Sequence, residues 1–170
     1  MSETGFVGYE YRDITIDREQ ESIYVDGYQN FGWMLDKMIE SPIGIGNMIL
    51  KFKRDRKIRN KMELTRLQRQ FDACVNEITG MERSKSTEAV ITAFTVGIIG
   101  TAFMAGSVFA VVAGNIALCI VLAIPAFAGW ALPYFLYKSG YTKKAAALAP
   151  LIDKKYDELY EVCERASNLL

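Results

Sequence analysis

Residues 89–137 read AVITAFTVGIIGTAFMAGSVFAVVAGNIALCIVLAIPAFAGWALPYFLY, 49 consecutive positions without Asp, Glu, Lys, Arg or His. One helical crossing of a bilayer's hydrocarbon core takes about 20 apolar residues, so the stretch is long enough for two. Its one plausible place to turn is Ala113-Gly114-Asn115. The reading is a transmembrane helical hairpin, with a first span over 89–112, a turn over 113–115 and a second span over 116–137.

The rest of the 170-residue chain fits this reading. Lys plus Arg equals Asp plus Glu at 20 each, so the chain is formally neutral. All 40 of those charges lie outside the run. A soluble protein of this size would spread its apolar residues along the chain to build a core. Met1-Ser2-Glu3-Thr4-Gly5 has neither the basic and apolar regions of a secretory leader nor a second-position Gly for myristoylation. Insertion is therefore expected to be directed by the internal helices. Arg83 and Lys85 precede the run, and Lys138, Lys143 and Lys144 follow it, while the turn is uncharged. Basic residues near membrane ends stay in the cytoplasm. The expected location is the inner cell membrane, multi-pass, with both termini cytoplasmic. Trp130, Tyr134, Phe135, Tyr137 and Tyr141 would form an interfacial aromatic belt.

Before the run, residues 1–58 read as a small cytoplasmic α+β cap of β-α-β-β order. Tyr9 to Ile16 alternates and is rich in β-branched and aromatic residues, a strand pattern. Asp17 followed by Gln20 suggests a helix N-cap, with a short helix to about Tyr28. Phe31–Lys37 and Met48–Arg54 read as two more strands, separated by the turn-forming Ser41-Pro42-Ile43-Gly44-Ile45-Gly46. Such a thin core needs support from the helices that follow.

Residues 59–88 read as an amphipathic helix. Leu64, Leu67, Phe71, Cys74, Ile78 and Met81 are spaced 3, 4, 3, 4, 3, a heptad stripe. In the C-terminal helix, 138–170, Ile152, Tyr156, Leu159, Cys163, Ala166 and Leu170 repeat the pattern, and Pro150 suits its first turn. A hairpin returns the second stripe beside the first, so an antiparallel cytoplasmic coiled coil is expected. Alternatively, each stripe packs on the cap or on another subunit. The fold class is thus a mainly α membrane protein: a transmembrane hairpin continued into an antiparallel coiled coil, with an α+β cap.

Two features bear on binding. Lys51, Lys53, Arg54, Arg56, Lys57, Arg59 and Lys61 form a basic block that could meet anionic lipid or nucleic acid. A straight helix from Asn60 to Glu88 would span roughly 43 Å, far beyond the Debye length of about 8 Å. The simpler reading pairs the block with Glu10, Asp13, Asp17, Glu19 and Glu21 of the cap. In the first span, Ala102, Gly106, Ala110 and Gly114 recur every fourth position, as do Ala93, Gly97, Thr101 and Ala105. Small-xxx-small lines let helices approach closely, and two of them suggest a homo-oligomer.

No catalytic, cofactor-binding or metal-binding residue is expected. The chain has no His, the usual general base and commonest metal ligand. It has no phosphate-binding loop ending in Lys-Ser/Thr and no Gly-x-Ser-x-Gly. Its three Cys include no Cys-x-x-Cys pair, so reduced structural thiols are expected. The charge-free spans lack the ionisable groups of pumps. Pro125 and Pro133 invite kinks in the second span.

Lys51-Phe52-Lys53-Arg54-Asp55-Arg56-Lys57-Ile58, Glu63-Leu64-Thr65-Arg66-Leu67-Gln68-Arg69 and the hairpin segment Gly97 to Gly106 together carry a resemblance. The chain resembles a group of short, uncharacterised bacterial two-span membrane proteins, which implies an inner-membrane location and no particular activity. Its layout is also similar to the two-span effector domains of bacterial defence systems, thought to form pores. The functional expectation is a non-enzymatic membrane scaffold, with the lipid bilayer, further copies of the chain and a cytoplasmic protein as partners. An oligomeric pore closed by Phe94, Ile98 or Phe109 is the alternative. A membrane-bound enzyme comes last, for want of a catalytic constellation.

Overall fold

The computed structural model describes residues 7–42 and 46–170. The N-terminal leader reading falls on residues 1–6 and part of the Ser41–Gly46 turn on 43–45, both outside the described residues. The protein is mainly helical, with a small three-stranded sheet near its N-terminus and two long apolar helices. It divides into two compact units, Met1–Asn76 with Lys155–Leu170, and Glu77–Lys154.

In the first unit, β1 (Tyr9–Asp17), β2 (Met34–Glu40) and β3 (Asn47–Asp55) form an antiparallel sheet in the order β1-β3-β2. The central strand alternates strictly, burying Met48, Leu50, Phe52 and Arg54 on one face. Register places Glu10 opposite Arg54 and Asp13 opposite Lys51. Helix α1 (Glu21–Gln29) follows a short 3-10 turn at Arg18–Gln20, and Asp17 before that turn makes no side-chain cap hydrogen bond.

The second strand starts at Met34 rather than Phe31 because the end of α1 continues into a tight turn. The amides of Phe31 and Trp33 both donate to the Tyr28 carbonyl, and Gly32 takes φ +77°. A strand cannot pass through that left-handed conformation, which suits glycine. Phe31 and Trp33 are nevertheless core residues, buried from the turn itself.

The stripe at the start of α2 (Lys61–Val112) completes this core. Leu64, Leu67, Phe71 and Cys74 are buried. The Phe71 ring lies 5.9, 6.0 and 5.6 Å from those of Tyr24, Tyr28 and Phe31, edge-on geometries that suit aromatic quadrupoles. A Cβ on Gly27 would stand 2.3 Å from Phe71 Cζ, so α1 sits against α2 at the distance glycine permits. Leu159, Val162, Cys163 and Ala166 of α3 (Ile116–Ser167) are buried in the same unit, where Asn60 Nδ2 donates to the Leu169 carbonyl at 3.2 Å.

In the second unit, α2 and α3 are joined at Ala113-Gly114-Asn115. Gly114 (φ +77°) donates its amide to Val111 O and Asn115 donates to Ala110 O, each at 2.9 Å. This pair of bonds satisfies the last carbonyls of α2 in a Schellman cap. Asn115 Oδ1 then accepts the Leu118 amide of α3 at 3.4 Å. The sequence suggested that Pro150 would open a helix, yet it lies inside α3, as do Pro125 and Pro133. Pro150 is exposed and follows Ala145–Ala149, so a strongly helix-forming run precedes it and solvent can satisfy the freed carbonyl.

Candidate functional site

Each long helix carries a stretch long and apolar enough to cross a membrane, and only 17% of that window in α2 and 11% in α3 is buried within the protein. A core helix of a soluble fold would hide most of its apolar residues. Here Phe94, Ile98, Phe109, Val112, Val121, Ile124, Phe127, Trp130, Tyr134 and Phe135 are all more than half exposed. Residues 89–112 and 116–137 span roughly 36 and 33 Å as helices, against a hydrocarbon core of about 30 Å.

The inner face is a seam of small residues. A Cβ on Gly129 would lie 2.6 Å from Gly100 Cα, and one on Gly100 would lie 2.9 Å from Gly129 Cα. Both obstacles are backbone, which cannot move aside as a flexible side chain can. The seam continues through Ala89, Ser107 and Ala110 of α2 and Ala126 of α3, all buried. Ser107 Oγ donates to the Cys119 carbonyl at 3.1 Å and lies 3.1 Å from Cys119 Sγ, a polar link between the helices where lipid would offer none.

The lines of small residues marked by the sequence are placed differently. Ala102 and Gly114 are exposed, Gly106 is half-buried and Ala110 is buried. Gly106 has ordinary room, its nearest potential neighbour being Leu122 Cδ1 at 3.5 Å. A step of four residues advances 400° around the helix, drifting 40° off the face each time. The seam instead uses the heptad, which drifts only about 20° per seven residues. On α3 it follows Cys119, Leu122, Ala126, Gly129 and Pro133, spaced 3, 4, 3, 4. That spacing was the available signal for Gly129.

The threonine side chains of the apolar stretch of α2 are committed to their own backbone. The hydroxyls of Thr92, Thr95 and Thr101 donate to the carbonyls of Glu88, Ile91 and Gly97, each at 2.9 Å.

In the cap, the sheet register draws much of the basic block into ion pairs. Lys51 pairs with Asp13 at 3.2 Å and Lys53 with Asp36 at 2.7 Å. Arg54, 3% exposed, points into the core. It meets Glu10 at 2.5 Å, donates to the Phe31 carbonyl and lies 4.3 Å over the Trp33 ring. Glu10 also pairs with Lys61. Burial pushes the Glu10 carboxyl up, but its bonds to Lys61 and Arg54 together outweigh this and hold it below the usual range. Arg56, Lys57 and Arg59 are exposed and form no ion pair among the described residues.

A second, half-buried charge was not legible in the sequence. Asp72 accepts from Arg12 at 3.1 Å and from the Tyr28 hydroxyl at 3.0 Å. Burial raises its carboxyl despite those partners. Beside it, Trp33 Nε1 donates to Gln68 Oε1 at 3.0 Å. The sites on α2 differ in burial: Leu64, Leu67, Phe71 and Ile78 are buried, whereas Met81 is half-buried. On α3, Ile152 and Leu159 are buried and Tyr156 is half-buried.

Cys74 and Cys163 are buried thiols outside any disulfide, and burial pushes that of Cys163 up to about 11. No group of His, Cys, Asp and Glu able to hold a metal occurs among the described residues. Comparison with protein-family models, curated proteins and solved structures finds no match.

Proposed function

We propose that the protein is a non-enzymatic membrane anchor. The apolar hairpin lies in the bilayer, and the cap, held on the charged ends of α2 and α3, is presented to a partner on the side of the two termini. One observation carries this reading: the apolar windows of both helices leave more than four-fifths of their residues unburied. At about 25 cal/mol per Å² of apolar surface, leaving so many Phe, Ile and Val side chains in water would be costly, which supports a lipid setting. The expected topology puts both termini in the cytoplasm, because Arg83, Lys85, Lys138, Lys143 and Lys144 flank the apolar run and Gly114-Asn115 carries no charge. The heptad stripes favour a cytoplasmic antiparallel pairing of the helix ends that also supports the cap.

For a partner, the outer face of the sheet offers exposed Tyr9, Tyr11, Met34 and Ile39 among the Lys51–Asp13 and Lys53–Asp36 pairs. Aromatic and Met side chains are enriched where proteins meet. The pore reading is weaker because Thr92, Thr95 and Thr101 spend their hydroxyl donors on their own helix. Reconstitution in vesicles tests the choice. An anchor stays with the vesicles after alkaline wash and carries no ion flux. Conductance that scales with protein would overturn the proposal in favour of a pore.

A further inference from the structure

A cleft of about 530 Å³ opens in the hairpin unit where the charge-free run meets the first charges. Glu88 and Thr92 of α2 face Ser139, Gly140, Lys143 and Lys144 of α3 across it. Ala89 and Gly140, both small, also line it, and a Cβ on Gly140 would make ordinary van der Waals contact with that of Ala89 at 3.5 Å.

The donors around the cleft are unequally engaged. Lys144 pairs with Glu88, and the Thr92 hydroxyl is bonded to the Glu88 carbonyl. The Lys143 ammonium makes no ion pair, and the Ser139 hydroxyl no hydrogen bond, among the described residues. These two residues are four apart in α3, so they share one helix face. The cleft therefore holds one surplus positive charge and a spare hydroxyl donor. Leu136, itself part of the apolar run, forms part of its wall.

We propose that this cleft seats the phosphodiester headgroup of an anionic phospholipid, with Lys143 and Ser139 holding the phosphate and the acyl chains running down the exposed apolar faces. The assignment rests on the hairpin lying in a bilayer, which places the residues bordering Ala89 and Tyr137 at headgroup depth. Basic pockets between membrane helices on the cytoplasmic side are suited to anionic headgroups. A free phosphate would use the same donors but leave the apolar wall without a role.

The test is native mass spectrometry of the full chain, released from nanodiscs of equal phosphatidylglycerol and phosphatidylcholine. The native chain should retain phosphatidylglycerol preferentially. Lys143→Gln should cut that preference about fivefold, the scale expected for one basic residue at the surface, and Ser139→Ala should cut it less. Glu88→Gln should raise the preference by a similar factor, because it frees Lys144, a gain that loss of packing would not produce. Arg59→Gln in the cap should change nothing. Equal retention of both lipids, or a loss of preference in Glu88→Gln, overturns the proposal. Displacement of the lipid by excess inorganic phosphate reassigns the site to the free anion and also overturns it. A chain that never enters the nanodisc overturns the anchor reading as well, so the two failures are distinguishable.

Discussion

Adding one methyl group at Gly129 should separate the hairpin helices. The new Cβ would stand 2.6 Å from Gly100 Cα and 3.1 Å from Gly100 N, where carbon atoms pack best at about 3.5–4.0 Å. Relief requires the backbones to part by about 1 Å at that level. A gap of that size forfeits about a quarter to a half of the contact energy of the atoms lining it, and overpacking of this kind costs about 1–3 kcal/mol. The gain in helix propensity from Gly to Ala returns up to about 1 kcal/mol. Gly129→Ala and Gly100→Ala should thus each destabilise the hairpin by up to about 2 kcal/mol on combining these terms. Gly97→Ala is the control, since its Cβ would meet only Pro133 Cγ at 4.0 Å. It should be neutral or slightly stabilising. The measurement is SDS-driven unfolding in mixed micelles, followed by energy transfer between dyes on the two helices. If Gly129→Ala unfolds no more easily than Gly97→Ala, the seam has been misassigned.

Other perturbations probe other parts of the structure. Ser107→Cys should form a disulfide with Cys119 on mild oxidation, because the Ser107 Oγ that the new sulfur replaces lies 3.1 Å from Cys119 Sγ; absence of the cross-link on gel electrophoresis would contradict that helix register. Gly27→Ala should destabilise the cap by about 1–3 kcal/mol through collision with Phe71, and Phe71→Leu should make the double variant less unstable than the sum of the two, read from a urea double-mutant cycle. Glu10→Gln leaves Arg54 buried without its carboxylate and should cost about 2–4 kcal/mol at neutral pH, read by urea denaturation. Because the folded Glu10 carboxyl is held low, its contribution is present above the unfolded value of 4.5 and is lost as pH falls through the folded value. Asp72, raised by burial, acts oppositely: its contribution is full below 3.8 and is lost as pH rises through its folded value. Glu10→Gln should therefore flatten the acid limb, and Asp72→Asn should steepen it.

The residues explain what the sequence could and could not convey. The hairpin was legible because 49 residues without charge leave few alternatives, and because Gly114 supplies the left-handed conformation the turn requires. Strands β1 and β3 were legible from alternation. The second strand was misplaced by three residues because Phe31 and Trp33 are apolar for the sake of a buried turn. A similar limit hid the seam, since counting small residues every four positions traces a drifting line, whereas contact follows the heptad. The basic block was only partly legible as a surface. Its fate depends on which acid comes near each base, and that proximity exists only once β1 and β2 are paired with β3.

The central claim is that the exposed flank of the hairpin is solvated by lipid. Its most direct test is spin labelling of single-cysteine variants at Phe94, Ile120 and Phe127 in vesicles, with accessibility to oxygen compared against a water-soluble nickel chelate. Lipid exposure predicts high oxygen and low nickel collision rates at all three positions, and the reverse at an Arg59 label in the cap. High nickel accessibility at Phe94, Ile120 and Phe127 would place the flank in water and contradict the account.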